Sequence, residues 1–222
     1  MHSIRKNAMR NDLTDITVIL DSSGSMECCR SEAEVGLNRF IEEQKAHPGD
    51  ALFTLVKFST EYAFEYKAVL IGKVSKVNLC PSGNTALLDA VGHGIIEAGQ
   101  RLGAMPADQR PGLVVFVILT DGEENSSTEF KKETVRKLIE KATNVYKWQF
   151  VFLGANQDSF TEGGGIGIPQ ATCANYSTDR AAEGIQVTSA KLSRARSSMA
   201  GGILADLRFT DDERAALTRR EK

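Results

Sequence analysis

The chain lacks the features that mark several common functions. Lysine and arginine never gather into a block, and 27 of them stand against 29 aspartates and glutamates, for a formal net charge of -2. A nucleic-acid backbone therefore has no electrostatic claim as partner. No apolar run approaches the roughly 18 residues of a spanning helix. Residues 1–15 are polar and mixed in charge, without the apolar stretch of a signal peptide. We therefore expect no membrane attachment and a cytoplasmic protein. The four cysteines, Cys28, Cys29, Cys80 and Cys173, form no C-x-x-C pair. Adjacent Cys28 and Cys29 are poorly spaced to share a zinc ion from one loop, so free thiols in a reducing compartment are expected. His2, His47 and His93 are scattered, which argues against a histidine-based metal or nucleophile site.

What is present is the apolar content of one globular domain: 222 residues, 41% hydrophobic and 25% charged, enough for a substantial core, with a second full domain barely fitting. Residues 15–20 (DITVIL) and 113–119 (LVVFVIL) are nearly unbroken aliphatic runs, suited to central parallel strands buried on both faces. Between them, Ala33, Leu37, Phe40 and Ile41, and then Leu87, Val91, Ile95 and Ala98, recur at helical spacing. Residues 51–59 read as a second strand, with residues 62–66 as its antiparallel hairpin partner at an edge. Downstream, Val135, Leu138, Ile139 and Ala142 mark a helix, residues 148–153 a buried strand, 171–176 a weaker one, and 178–197 a closing helix.

This alternation predicts an α/β doubly wound sheet with right-handed crossovers. The expected organisation is a lead over residues 1–14, one domain over 15–200, and an extension over 201–222. In that extension Thr210 to Glu213 forms a capping box ahead of a short helix, read as an appendage that is either packed on the domain or frayed at the terminus, with a docking peptide as the sharper alternative. The glycine-rich patch at 163–167 (GGGIG) lacks both phosphate-loop and dinucleotide signatures and reads as a flexible loop.

Directly after the first central strand, Asp21, Ser23 and Ser25 place a carboxylate and two hydroxyls at alternate positions of a tight loop (DSSGS). Oxygen-only donors with open positions suit a hard cation such as Mg²⁺, whereas a soft metal calls for Cys or His. A bland alternative exists, because Asp and Ser also end strands and cap helices. Two further signals favour the metal: Thr85 closes the run PSGNT ahead of a helix, and Asp121 follows the second central strand in TDG. If those two strands are neighbours where the sheet order reverses, Asp21 and Asp121 share the crevice outside their carboxyl ends.

On these residues the chain resembles the von Willebrand factor A-type domains, whose metal-ion-dependent adhesion site (MIDAS) combines D-x-S-x-S, a threonine and an aspartate. The resemblance covers roughly residues 15–197. It implies a Rossmann-like, mostly parallel six-stranded sheet of order 3-2-1-4-5-6, with one antiparallel edge strand and helices on both faces. It further implies Mg²⁺ or Mn²⁺ bound through Ser23, Ser25 and Thr85, with Asp21 and Asp121 acting directly or through water. Such a site is non-catalytic and offers its open position to a Glu or Asp of a partner protein. Intracellular domains of this type act as adaptors or assembly factors, sometimes beside AAA-type ATPases, and a short single-domain form points to a bacterial or phage source.

Two rivals accompany this reading. A Mg²⁺-dependent phosphoryl-transfer enzyme of haloacid dehalogenase type normally carries D-x-D, where this chain has Asp21-Ser-Ser23, and no nucleophile with an adjacent histidine base replaces it. A subunit with a purely structural metal, docking through its tail, is the other. Near the site, Glu123 and Glu124 read as a solvated loop, Asp89 as a supporting or a surface acid, and Cys80 as a packed thiol.

Overall fold

The computed structural model describes residues 9–155, 159–204 and 206–219; residues 1–8 of the expected lead, and 205 and 220–222 of the expected tail, lie outside them. The strands are β1 (Arg10–Asp21), β2 (Asp50–Phe58), β3 (Tyr62–Leu70), β4 (Pro111–Thr120), β5 (Gln149–Ala155) and β6 (Cys173–Tyr176). They form one sheet of order β3-β2-β1-β4-β5-β6. Only the β2–β3 pair is antiparallel. The helices are α1 (Arg30–Ala46), α2 (Leu87–Ala104), α3 (Lys132–Tyr146), α4 (Ser159–Gly165), α5 (Ala181–Ala200) and α6 (Asp211–Thr218). The expected doubly wound α/β architecture and strand order are what the protein has.

The period-two geometry of a strand divides β4 between two cores. Leu113, Val115, Val117 and Leu119 enter the cluster beneath α1 and α5, while Val114, Phe116 and Ile118 enter the one beneath α2 and α3. A strand buried on both faces needs no polar side, which is why residues 113–119 are aliphatic throughout.

Three expectations need correction. First, β1 starts at Arg10, so residues 10–14 belong to the sheet and not to a lead. Arg10 pairs with Asp12 at 2.7 Å and with Asp50 of β2 at 2.9 Å, and this exposed polar end of the strand carries no hydrophobic signal. Second, the glycine patch is not simply a loop: residues 163–165 end α4, and a Cβ on Gly163 would lie 2.7 Å from Cys173 Sγ and 3.2 Å from Phe152. Glycine there lets α4 sit directly on β5 and β6.

Third, of the readings of the tail the packed helix is the one the protein has, and it is more deeply built in than an appendage. Leu207, Phe209 and Leu217 are buried in the α1/α5 core. The Phe209 N–H donates to Ala171 O at 2.9 Å, and the Ser177 N–H donates to Leu217 O at 3.0 Å. The capping box forms as expected, with Thr210 Oγ1 accepting the Glu213 N–H and Glu213 Oε2 accepting the Thr210 N–H. Lys191 of α5 holds it down, its Nζ 2.6 Å from Glu213 Oε2 and 5.0 Å from the Phe209 ring centre. Composition concealed this because three apolar side chains among many charges suffice to dock one short helix.

Replacing the fully buried Leu217 with alanine is expected to cost about 2–5 kcal/mol, seen as a lower denaturant midpoint at unchanged slope. A change under about 0.5 kcal/mol would show that α6 contributes nothing to the core.

Candidate metal centre

Strand order reverses at β1 and β4, which run parallel from Thr14 opposite Leu113 to Leu20 opposite Leu119. Asp21 ends β1 and has no solvent exposure. Its Oδ1 accepts the Ser23 N–H at 2.7 Å, and its Oδ2 accepts the hydroxyl of Thr120, the last residue of β4, at 2.6 Å. One carboxylate thus joins the ends of two strands that are about a hundred residues apart in the chain. Thr120 was passed over in the sequence because nothing in a terminal strand threonine reveals which carboxylate it will meet.

The two serines continue the cluster. Ser23 Oγ lies 3.1 Å from Ser25 Oγ, and the Ser25 hydroxyl donates to Asp121 Oδ1 at 2.7 Å. Ser23 precedes a 3₁₀ turn, Gly24–Cys29, yet its side chain makes no capping hydrogen bond to that turn. The bland capping explanation for the serine string therefore does not describe this loop.

Thr85 arrives on a loop stitched to the first one. The Ser82 N–H donates to Ser22 O at 2.8 Å, and the Gly24 N–H donates to Gly83 O at 3.0 Å. Gly83 adopts φ +74°, where a Cβ would also press to 2.5 Å from Thr60 Oγ1, so the turn requires glycine. Gly122 matters for a different reason. A Cβ there would stand 3.2 Å from Thr85 Oγ1 and 3.4 Å from Ser25 Oγ, so the missing side chain keeps the space before those two hydroxyls open. All five expected residues, Asp21, Ser23, Ser25, Thr85 and Asp121, converge on this crevice.

The loop after β4 is held by acids that the sequence left ambiguous. Asp89, 5% exposed, accepts the backbone N–H groups of Thr128 at 2.8 Å, Glu129 at 3.1 Å and Phe130 at 2.7 Å. It is a supporting acid. Glu124, expected as solvated, instead accepts the Leu88 N–H at 2.9 Å, the Ser126 and Ser127 N–H groups at 2.9 and 2.7 Å, and the Ser127 hydroxyl at 2.7 Å. It satisfies an otherwise unpaired donor in the first turn of α2, where a negative charge is favoured. Glu123 is exposed, as expected. Asn125, with no signal in the sequence, clamps Thr85 from both sides: its Oδ1 accepts the Thr85 N–H at 2.9 Å and its own N–H donates to Thr85 O at 3.0 Å.

The electrostatics suit a cation. Burial pushes the carboxyls of both Asp21 and Asp121 above the ordinary value of 3.8, against the hydrogen bonds that lower them. Two such carboxylates balance a divalent charge, and the remaining donors are neutral hydroxyls, which fit a hard ion better than a soft one. Against this, Cys28 and Cys29 flank the site. The free thiols are as expected, but their atoms and a carboxylate oxygen of Asp121 all lie within 4.8 Å of one another. Burial, and then the charge of Asp121, pushes the Cys29 thiol up. Cys80, expected as packed, is exposed, its loop position just ahead of Pro81 turning it to solvent.

The sheet order, the antiparallel edge and the crevice at the reversal define a von Willebrand factor A-type fold. No family model matches the sequence, and no curated protein matches it either. Among solved structures, the chain is similar to proximal thread matrix protein 1 from the mussel byssus, solved with a zinc-occupied MIDAS motif. That match has a TM-score of 0.58 at 18% identity, over 81% of this chain and 46% of that one. It is similar also to a von Willebrand factor type A protein from Catenulispora acidiphila, with a TM-score of 0.57 at 16% identity, over 82% and 43%. A third is the pilus adhesin SpaC from Lactobacillus rhamnosus GG, at 0.61 and 14%, over 85% and 31%. At such identities the likeness is one of fold, and the chain spans less than half the length of each of these structures.

Asp89→Ala would strand three backbone donors and is expected to cost about 1–3 kcal/mol. Amide hydrogen exchange at Thr128, Glu129 and Phe130 should accelerate selectively. Unchanged exchange there would mean that the loop is held by other bonds.

Proposed function

We propose that this chain is a non-catalytic protein-binding module that holds Mg²⁺ or Mn²⁺ through Ser23, Ser25 and Thr85, with Asp21 and Asp121 acting directly or through water, and offers the ion's open position to a Glu or Asp of a partner protein. The observation that carries the reading is the convergence of these five side chains from three loops beside the space left by Gly122. The ion supplies a fixed positive charge that two carboxylates neutralise without saturating its coordination, so an anionic oxygen remains an attractive ligand. A cytoplasmic adaptor or assembly role, beside an AAA-type ATPase in particular, is the finer form of the same proposal. No helix among the described residues is long and apolar enough to cross a membrane.

The phosphoryl-transfer rival needs Asp21 as a free nucleophile. Instead Asp21 is buried, with one oxygen on the Ser23 N–H and the other on the Thr120 hydroxyl. Neither described histidine addresses the site: His93 bonds Glu129, and His47 bonds Pro48, Ser193 and Ser197. The tail-docking rival loses its free peptide, since Leu207, Phe209 and Leu217 are already committed to the core.

Mg²⁺ at a hundredfold excess over its dissociation constant should stabilise the metal-stripped protein by about 2.7 kcal/mol, raising the unfolding midpoint, and should do nothing for Asp121→Ala. An equal shift in both proteins would place the ion elsewhere. Partner capture from extract should require Mg²⁺, vanish with chelator or Asp121→Ala, and be lost when one Glu or Asp of the captured protein is made Gln or Asn. Capture indifferent to metal would sink the proposal.

The same site sets a pH dependence. The folded-state pKa values of Asp21 and Asp121 are raised, so in the metal-free protein their contribution to stability is full below about 3.8 and is lost as pH rises through the folded values. The ion binds the deprotonated pair, so its stabilising effect should grow over that same window. Thermal midpoints with and without Mg²⁺ should therefore diverge from acid toward neutral pH; parallel curves would contradict ligation by these carboxylates.

A further inference from the structure

Sequence spacing argues against a shared ion for Cys28 and Cys29, because consecutive residues of a helix point to different sides. The structure removes that objection. Cys29 sits at the junction between the 3₁₀ turn and α1 with φ −122° and ψ 12°, away from helical values. The break leaves both thiols and an Asp121 oxygen within 4.8 Å of one another.

Asp121 faces two ways. Its Oδ1 takes the Ser25 hydroxyl at 2.7 Å, on the hydroxyl side of the crevice, while Oδ2 lies 3.9 Å from Cys28 Sγ. The sulfur side is also soft: Cys29 Sγ lies 3.7 Å from Met26 Sδ, and both residues are buried. Cys28 is exposed and Asp121 partly so, which gives an ion a path from solvent. In a tetrahedral site, bonds of about 2.3 Å to sulfur and about 2.0 Å to oxygen place ligand atoms roughly 3.5–3.8 Å apart. The present Cys28–Asp121 separation is near that value, and closing the rest takes movements on the order of 1 Å.

We propose that Cys28, Cys29 and Asp121 form a second cation position, adjoining the hydroxyl site and selective for a thiophilic divalent ion of the zinc class, with the fourth ligand a solvent oxygen. Two thiolates select such an ion over Mg²⁺, which the hydroxyl side prefers. Asp121 serves both positions with different oxygens, so the two ions need not exclude each other, and because the two thiols give up their protons to the solvent, a soft ion there leaves the net charge of the crevice unchanged. The inference shares Asp121 with the proposed function but stands on the geometry of the thiols and the Asp121 oxygen.

Cobalt(II) separates the two readings, because it replaces zinc in thiolate sites and reports sulfur ligation by an intense near-ultraviolet charge-transfer band. The metal-stripped full chain, kept reduced with a phosphine, would be titrated with Co²⁺ and then with Zn²⁺ in competition. Wild type should develop the band and lose it to Zn²⁺. Cys28→Ser, at an exposed position, should lose about half of it and bind Zn²⁺ more weakly, while its Mg²⁺-induced rise in unfolding midpoint stays as in wild type. Co²⁺ that stabilises wild type without a charge-transfer band would overturn thiol ligation and leave the hydroxyl site standing. A band unaltered in Cys28→Ser would assign it to other thiols and equally end the proposal. If neither Co²⁺ nor Mg²⁺ binds, both readings fall together. A Co²⁺ band without any Mg²⁺ response would sustain the thiol position and sink the hydroxyl one.

Discussion

A single buried carboxylate organises the crevice on which everything else depends. Asp21 has no access to water, and its two oxygens are spent on the Ser23 N–H and the Thr120 hydroxyl. Through these bonds it fixes the start of the serine loop against the end of β4. A buried charge of this kind is costly unless something compensates it. Hydrogen bonds compensate in part, yet burial still dominates and raises the pKa of both Asp21 and Asp121. The fold thus holds two carboxylates together where burial disfavours their charge.

Around this pair the loops are locked ahead of any ligand. Asn125 grips Thr85 by both its N–H and its carbonyl, Asp89 gathers three backbone donors, and Glu124 ties the loop after β4 to the first turn of α2. These contacts fix hydroxyls that would otherwise need ordering when an ion arrives, which is the physical content of preorganisation. The acids that look most like extra ligands in the sequence, Asp89 and Glu124, prove to be occupied with backbone. The charge of Glu124 meets a backbone donor in the first turn of α2, where a negative group is favoured.

The segment after α5 is charged in composition but returns Leu207, Phe209 and Leu217 to the core beneath α1 and α5, so the domain is closed by its own tail. Lys191, almost fully buried, spans from α5 to Glu213 and the Phe209 ring. Its Nζ donates to the Arg208 carbonyl at 2.7 Å as well as meeting that carboxylate.

Read by itself, the sequence determined the sheet and the identity of the converging side chains. Unbroken aliphatic runs at 15–20 and 113–119 can be buried only on both faces, and the order of strands and helices leaves few topologies open. Asp21 and Asp121 were legible as neighbours because each stands at or directly after the end of a central strand, at one edge of such a sheet; Ser23, Ser25 and Thr85 joined them through the resemblance to the metal-ion-dependent adhesion site. What tertiary structure alone decided was every pairing across long separations: Thr120 with Asp21, Asn125 with Thr85, Asp89 with the loop at 128–130, Leu217 with the core, and the two thiols with Asp121. Periodicity reports which side of its own element a residue takes. It carries no information on which distant atom will stand within hydrogen-bonding distance, because that follows from the packing of whole elements against one another.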